Sequence, residues 1–369
     1  MSMTYGGDQI TFNDNSTQNT AAKVGMVNRI INGAMMIDQR NAGASVTPTG
    51  SGYTLDRWLA ALAQSSKISI QQNAGAVTPP VGFKNYLGIT SLSAYSVTSS
   101  DYFTIQHNIE GLNVADLAWG TANAVPVTLS FWVRSSLTGT FGGSVNNSAI
   151  SRSYPFSYTI SSANTWEQKT ITIAGDTTGT WLTTNGIGIT INLSVGMGST
   201  YSGTAGSWAT GSYYSVTGAR SVVGTSGATF YITGVQLEKG STATSFDYRP
   251  YGTELSLCQR YFLGIKNDGA NNLLVATSAI ASSSTIAGCM INLPVEMRTQ
   301  PSISGTSLAL ADTANPVTNV TSIALRTDLA TTKAIYFGAD VASGLTAHRP
   351  YYLRFQAASS GSFNISAEL

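Results

Sequence analysis

The segment GIGITINLSVGM (186–197) constrains this chain more than any other. Ile187, Ile189, Ile191, Leu193, Val195 and Met197 alternate without a break with Gly188, Thr190, Asn192, Ser194 and Gly196. A strand turns successive side chains to opposite faces, so this spacing makes one wholly apolar face and one small, polar face. A helix would scatter the same residues around its circumference. The segment therefore predicts a strand buried on one side and solvated on the other, as in an antiparallel sheet packed on a second sheet. VTLSFWVR (127–134) repeats the pattern, with Val127, Leu129, Phe131 and Val133 against Thr128, Ser130, Trp132 and Arg134.

Short runs of this kind recur between turn signals from about residue 26 to 250. DRWLAALAQ (56–64) reads as a short helix or an irregular crossing strand. No alternation of strands with helices supports a doubly wound fold, and no fixed-period repeat supports a β-helix or propeller. After Gly252 the texture changes. TELSLCQRYF opens as a helical turn, with Thr253 as its cap and Glu254 in the first turn. About a hundred residues with further strands follow, ending on Phe363, Ile365, Ala367 and Leu369 on one face. The expected architecture is all-β: two consecutive antiparallel β-sandwiches, jelly-roll-like in residues 26–250 and smaller in 251–369. A short extended N-terminal segment, 1–25, is too polar to fold alone and is expected to anchor the chain to a partner.

Charge excludes several function classes. Charged residues are 10% of the 369, with 19 Lys and Arg against 18 Asp and Glu, so no field draws the chain to nucleic acid or anionic lipid. No apolar stretch approaches the roughly 20 residues of a membrane span, so no membrane insertion is expected. MSMTYGGDQI lacks a basic start and an apolar run, and so does not read as a signal peptide. Cys258 and Cys289 have no CxxC or Cys/His companion and read as buried free thiols.

Nothing in the sequence assembles a catalytic site. His107 and His348 lie far apart in the chain, without a metal-ligand pattern, and no GxSxG elbow surrounds a serine. GMGSTYSG lacks a P-loop lysine and reads as a turn. A glycosidase needs only two carboxylates, but nothing singles out a pair among Asp101, Glu110 and Asp116. GDTTG (175–179) has one acid, too few for a calcium loop. No enzyme, cofactor or metal is expected.

Binding is better supported. Sugars present apolar C–H faces and many hydroxyls, which aromatic rings flanked by hydrogen-bonding groups recognise. Trp181 and Trp208 lie in Gly/Thr-rich, turn-like stretches, and Tyr201, Tyr213 and Tyr214 flank the second. They read either as a ligand platform or as packing. Trp132 and Arg134 lie opposite the apolar face and could stack on a sugar, although cover by the N-terminal segment or a neighbouring subunit is the preferred reading. Trp166 shares that ambiguity, and Trp58 and Trp119 are assigned to the core. The charges of GVQLEKGSTATSFDYRPYG (234–252) suggest a clasp between the two sandwiches, made by Glu238, Lys239, Asp247 and Arg249.

VNRIINGAMMIDQRNAG (27–43), YTLDRW (53–58), VTLSFWVRSS (127–136), GDTTGTWLTTNGIG (175–188) and GVQLEKGSTATSFDYRPYGTELSLCQRYF (234–262) together resemble a family of phage and prophage virion proteins. In these tail-fibre-like proteins a carbohydrate-binding-type jelly-roll module is fused to a small C-terminal β domain. The N-terminal DQITFNDNSTQNTAA (8–22) is similar to the segment that precedes distal domains in tail fibres. The resemblance implies a virion fibre or adhesin subunit, a homotrimer held to other virion proteins through residues 1–25, that attaches to a host-surface glycan. Its alternative is a structural decoration, collar or head-fibre protein with no receptor.

Overall fold

The structure, a computed structural model, describes residues 26–267, 274–312, 317–356 and 360–369, together with the backbone of three short strands before them. Those strands, Thr4–Gly6, Gln9–Thr11 and Thr17–Gln18, pair antiparallel as a small sheet. The chain is all-β apart from one α-helix and four single-turn 3-10 segments among the described residues.

Two antiparallel sheets enclose the first core. The larger has seven strands, in the order Ala209–Thr210, Arg152–Ile160, Gly139–Asn146, Ile187–Met197, Tyr102–Glu110, Trp58–Leu62 and Gly52–Leu55. The smaller has five, in the order Glu167–Ile173, Val127–Ser135, Thr229–Lys239, Leu87–Ser91 and Ile68–Gln72. Their inner faces carry the alternating apolar sets: Ile189, Ile191, Leu193 and Val195 meet Leu129, Phe131 and Val133, all at most 1% exposed. Each such side chain contributes about 1.5–3 kcal/mol by leaving water. The segment Trp58–Leu62 takes the strand alternative of its two readings, because its alternate residues Trp58, Ala60 and Leu62 face this core. One bulge is fixed by glycine. The Thr229–Lys239 strand slips between Thr233 and Gln236, where Gly234 has φ +61°, and an added Cβ would lie 2.6 Å from the Phe83 ring.

The polar face of Ile187–Met197 is not solvated as expected. Asn192 and Ser194 are 0% and 1% exposed. The chain between Ser199 and Thr217 folds back over this side of the sheet, with Ser215–Val216 packed across three of its strands.

The second β unit closes on itself. Leu274–Ala281, Ile286–Asn292, Ala334–Val341, Thr318–Leu325, Leu308–Ala311 and Pro350–Phe355 form a barrel in that order. Phe262–Lys266, Ser362–Ser366 and Ser302–Gly305 make a three-stranded sheet beside it. Phe337, Phe355, Phe363 and Ile365 centre its core. Cys258 and Cys289 are buried free thiols, and burial pushes Cys289 up to about 12.

Helix Tyr251–Gln259 connects the two units and begins directly after Pro250, two residues before the expected Thr253 cap. Proline fixes its own φ, which suits it to a helix start. Glu254 lies in the first turn, but its carboxylate points inward, receiving the Asn32 amide and pairing with Arg249 at 3.0 Å.

The clasp around Glu238 differs from its expected membership. Arg249 does join the helix to the N-terminal strap of the sandwich, donating to the Ile30 and Asn28 carbonyls besides Glu254. Asp247 accepts the Asn28 amide at 3.1 Å. Glu238 instead holds its own turn, receiving Thr244 through its amide at 2.7 Å and its hydroxyl at 2.8 Å. Lys239 points outward to Asp116, 3.4 Å away, because strand alternation puts it on the side opposite Glu238. Groups the sequence did not single out hold the units together more directly. Glu110, 1% exposed, accepts two bonds from Arg260 and one from the Tyr261 hydroxyl. Glu368 pairs with both Arg40 and Arg57, whose guanidiniums each lie 3.6 Å from a ring centroid, Phe262 and Tyr261 respectively.

Candidate functional site

The outer face of the seven-stranded sheet carries the most organised set of polar groups in the first unit. Strand register lays them in rows. Leu59, Gln106, Asn192, Ser144 and Pro155 face one another across five strands. Asn108, Thr190, Asn146 and Ser153 form the next row. Ala61, Thr104 and Ser194 lie on the other side of the first. The amides are wired together: Gln106 donates to Asn192 at 2.7 Å, Asn192 to Ser144 at 3.1 Å, and Asn146 to Ser153 at 2.6 Å. Thr190 donates to Asn108 at 2.8 Å. None of these residues bears a charge. Gln106 and Thr190 are half-buried and present the rows to the outside, while Asn192, Ser144 and Asn146 lie beneath them.

A wall of tyrosines stands at one end of this face. Tyr102, Tyr201 and Tyr214 pack mutually, with ring centroids 5.7 Å, 6.0 Å and 5.4 Å apart. All three are half-buried, and among the described residues no hydrogen bond engages their hydroxyls. Burial, then the neighbouring Tyr201 and Tyr102, hold the Tyr214 phenol above its ordinary value, so it remains a donor. Tyr213, expected beside them, turns away and packs on the glycines Gly203 and Gly211.

Trp181 and Trp208 are brought together, but with Trp119 and not with the tyrosines. The three indoles meet edge to face, at centroid distances of 4.7, 5.3 and 5.3 Å. Each indole N–H is taken by a backbone carbonyl, that of Thr178, Ala174 or Val125. Arg152 lies 6.0 Å from the Trp208 ring while holding Asp176 through two bonds of 2.8 Å. Rings whose edges and faces already meet one another, with their donors used, close the end of the core. Beside them Val114, Ala115, Leu182 and Ile189 complete a shallow depression with no polar side chain but Thr183.

Trp132 and Arg134 are both engaged within the chain. Arg134 donates to the Asn164 carbonyl and stacks over Tyr231 at 5.3 Å. Trp132 lies against the Gly234 bulge near Phe83. The chain's own loop around residues 73–86 packs on this face, its Tyr86 meeting Trp166 and Tyr231 at 5.6 and 5.2 Å, while the N-terminal segment expected to cover it lies outside the described residues. The loop stays because Trp166 donates to the Thr78 carbonyl at 2.9 Å.

The acidic residues weighed for hydrolysis all have other partners. Asp101 accepts Tyr95, Gln64 and the Thr98 turn, Glu110 binds Arg260, and Asp116 binds Arg29. His107 is 1% exposed and lies against Trp58, where burial and then the Arg57 charge keep it neutral. No group of His, Cys, Asp and Glu suited to a metal ion occurs among the described residues. Sequence reading named Tyr201 and Tyr214 but missed Tyr102, Gln106, Asn192 and Thr104. The available signal was the polar half of the alternation in Tyr102–Glu110 and Ile187–Met197.

No family model matches the chain, and no curated protein matches it. Among solved structures, the chain is similar to the following three. One is the enzymatically active domain of tailspike protein 4 of bacteriophage CBA120, at TM-score 0.33 and 11% identity, covering 58% of this chain and 21% of that one. Another is the CBM22-1–CBM22-2 tandem of Paenibacillus barcinonensis Xyn10C, at TM-score 0.27 and 10% identity, covering 94% and 99%. The third is the family 11 carbohydrate-binding module of Clostridium thermocellum in complex with a mixed-linked tetrasaccharide, at TM-score 0.26 and 10% identity, covering 53% and 93%. At these values the likeness extends to no individual side chain.

Proposed function

We propose that the chain binds a glycan on the outer face of its seven-stranded sheet and serves as a fibre or adhesin subunit of a phage particle. The observation that carries the binding reading is the tyrosine wall with unengaged hydroxyls beside rows of uncharged amides and hydroxyls. Aromatic faces receive sugar C–H groups, and Gln106, Thr190 and the phenols supply donors and acceptors for its hydroxyls. Single-site affinity for such a surface is modest, and a homotrimer displayed in several copies would multiply it. The virion setting rests on the resemblance of residues 27–43 and 234–262, with 1–25 as the attachment to other virion proteins. The test is a glycan array and whole-cell binding with the isolated protein and with Tyr214→Ala and Gln106→Ala. Loss of binding in both variants, with the fold intact, supports the site. Unchanged binding, or none by the wild type, refutes it.

One observation favours the structural alternative. Ile280, Ile286 and Met290 are 56%, 42% and 51% exposed on adjoining strands of the barrel. Exposed apolar groups of this kind suit an assembly surface. A particle reconstruction with this wall buried, from a wild type that retains no saccharide, would select that reading.

A further inference from the structure

We propose that the tyrosine-bearing edge of the 199–217 segment is a movable strap, and that Thr104 and Ser194 beneath it form a covered sugar subsite; this rests on the glycan reading above. From Tyr201 to Val216 the backbone of the segment is fastened to the sheet on one side, while its start is held on the other by Thr200, which donates to the Ser99 carbonyl at 3.0 Å. Ala209–Thr210 pairs with Arg152 and Ser153, and Gly206 donates to the Pro155 carbonyl at 2.9 Å. Gly211 donates to the Ser151 carbonyl at 3.2 Å, and Asn146 to the Tyr213 carbonyl at 3.1 Å. All of the partners of 206–213 lie on Gly139–Asn146 and Arg152–Ile160 or the turn between them. Among the described residues, no hydrogen bond joins positions 201–216 to Tyr102–Glu110 or Ile187–Met197. There the strap rests through ring contacts of Tyr201 and Tyr214 with Tyr102. Its own parallel bridge, Ser202–Gly203 with Ser215–Val216, keeps the tyrosine edge together as one piece.

What lies under that edge is chemically unfinished. Thr104 Oγ1, Ser194 Oγ and Ser215 Oγ are buried and have no hydrogen-bond partner among the described residues, while their residues are at most 1% exposed. Thr104 and Ser194 are register partners on adjacent strands. Ser215 approaches from above at Gly142, where an added Cβ would lie 2.4 Å from its hydroxyl. A buried hydroxyl without a partner destabilises a fold, and three in one place are better explained by a partner that arrives. With the tyrosine edge raised, a saccharide ring reaches Thr104 and Ser194 from the Gln106 side, and its hydroxyls complete theirs. The strap's bonds to Arg152–Ile160 stay intact throughout.

The test uses the full chain with Thr104→Val and Ser194→Ala, and takes as probe the saccharide most strongly retained on a neutral oligosaccharide array. The expected result is about a ten-fold loss of affinity in the double variant, with an unchanged or higher melting temperature, since unpartnered buried hydroxyls are removed. Hydrogen exchange of the 199–217 amides is expected to be faster than that of Ile187–Met197 and to slow on adding the probe. Unaltered affinity in the double variant, with Tyr214→Ala still abolishing binding, overturns the subsite and leaves the glycan reading standing. Strap amides as protected as the central strand overturn the movement whatever the ligand. A wild type that retains no saccharide overturns both.

Discussion

Glu110→Gln tests whether the two β units are joined as the structure indicates. The carboxylate is 1% exposed and accepts Arg260 at 2.7 and 3.0 Å and the Tyr261 hydroxyl at 2.6 Å. Burial by itself would raise its pKa. The bonds from Arg260 and Tyr261, with the charges of Arg260 and Arg298, outweigh burial and hold it below the ordinary carboxylate range. A depressed carboxylate pKa stabilises the fold above the unfolded value of 4.5, and that stability is lost as pH falls through the folded value. Glutamine keeps the shape and one acceptor but removes the charge opposite Arg260. Breaking a fully buried pair costs about 3–5 kcal/mol. Arg260 is 31% exposed, so water relieves part of that, and a cost of about 2 kcal/mol is expected. Calorimetry from pH 3.5 to 7 should resolve it. In the wild type the barrel and sandwich transitions stay coupled at pH 7 and separate below about 4.5. In Glu110→Gln they are already separated at pH 7, with little further dependence on acid. Coincident transitions and an unshifted midpoint in the variant would refute the assignment of Glu110 to the joint.

Three further outcomes follow from particular contacts. Trp181→Ala should lower stability by about 2 kcal/mol in urea, because Trp119 and Trp208 lose a shared neighbour, while saccharide retention stays unchanged; lost retention at full stability would return the tryptophans to the binding site. Asp56 is fully buried and burial raises it from 3.8 to about 6, against the opposing Arg40 charge and Gln39 bonds, so its charge costs the fold roughly 3 kcal/mol. That cost develops as pH rises from about 4 to 6, and Asp56→Asn should flatten the stability profile across this window; an unchanged slope counts against it. Gly234→Ala should cost about 1–2 kcal/mol in chemical denaturation, from its φ of +61° and the Phe83 ring beside it, and a neutral result would show that the bulge is not rigid.

Strand alternation made much of the fold legible. Ile189 through Val195, and Val127 through Val133, face the core as their spacing requires, because period two admits one arrangement once a face is buried. What alternation does not carry is what covers the opposite face. Asn192 and Ser194 read as solvated because their polarity suits water equally well. Their burial depends on a strap at 199–217, whose contacts are non-local and set by register. The same limit governed the aromatics. A tryptophan in a Gly/Thr-rich loop has the same local sequence whether it meets sugar or two other indoles, and only the convergence of Trp119, Trp181 and Trp208 decides. Tyr102 was invisible for a complementary reason: it lies on a strand, far along the chain from Tyr201 and Tyr214, and gains its role only from its ring contacts with them. The clasp was legible only at Asp247 and Arg249, whose partners at Asn28, Ile30 and Glu254 lie at the junction itself.

The distribution of charge ties the joint to the proposed binding face. Charged groups are scarce, yet Arg40, Arg57, Glu110, Arg260, Arg298 and Glu368 converge between the sandwich and the barrel. Arg298 bridges the units through the carbonyls of Asn185, Ala367 and Glu368, all at 2.8–2.9 Å. This joint also borders the outer face of the seven-stranded sheet: Asn108, paired with Thr190 in the polar rows, gives its backbone carbonyl to Arg57. Tyr53, which caps that end, donates to the Leu369 carbonyl at 2.9 Å. The face is thus bounded by tyrosines at one end and by the joint at the other, with uncharged groups between. Salt screens exposed charge and leaves neutral hydrogen bonds and ring contacts nearly untouched. Saccharide retention should therefore be insensitive to ionic strength, whereas acid, which discharges Glu110, would disturb the face from its joint end. A receptor held by charge would show the opposite order.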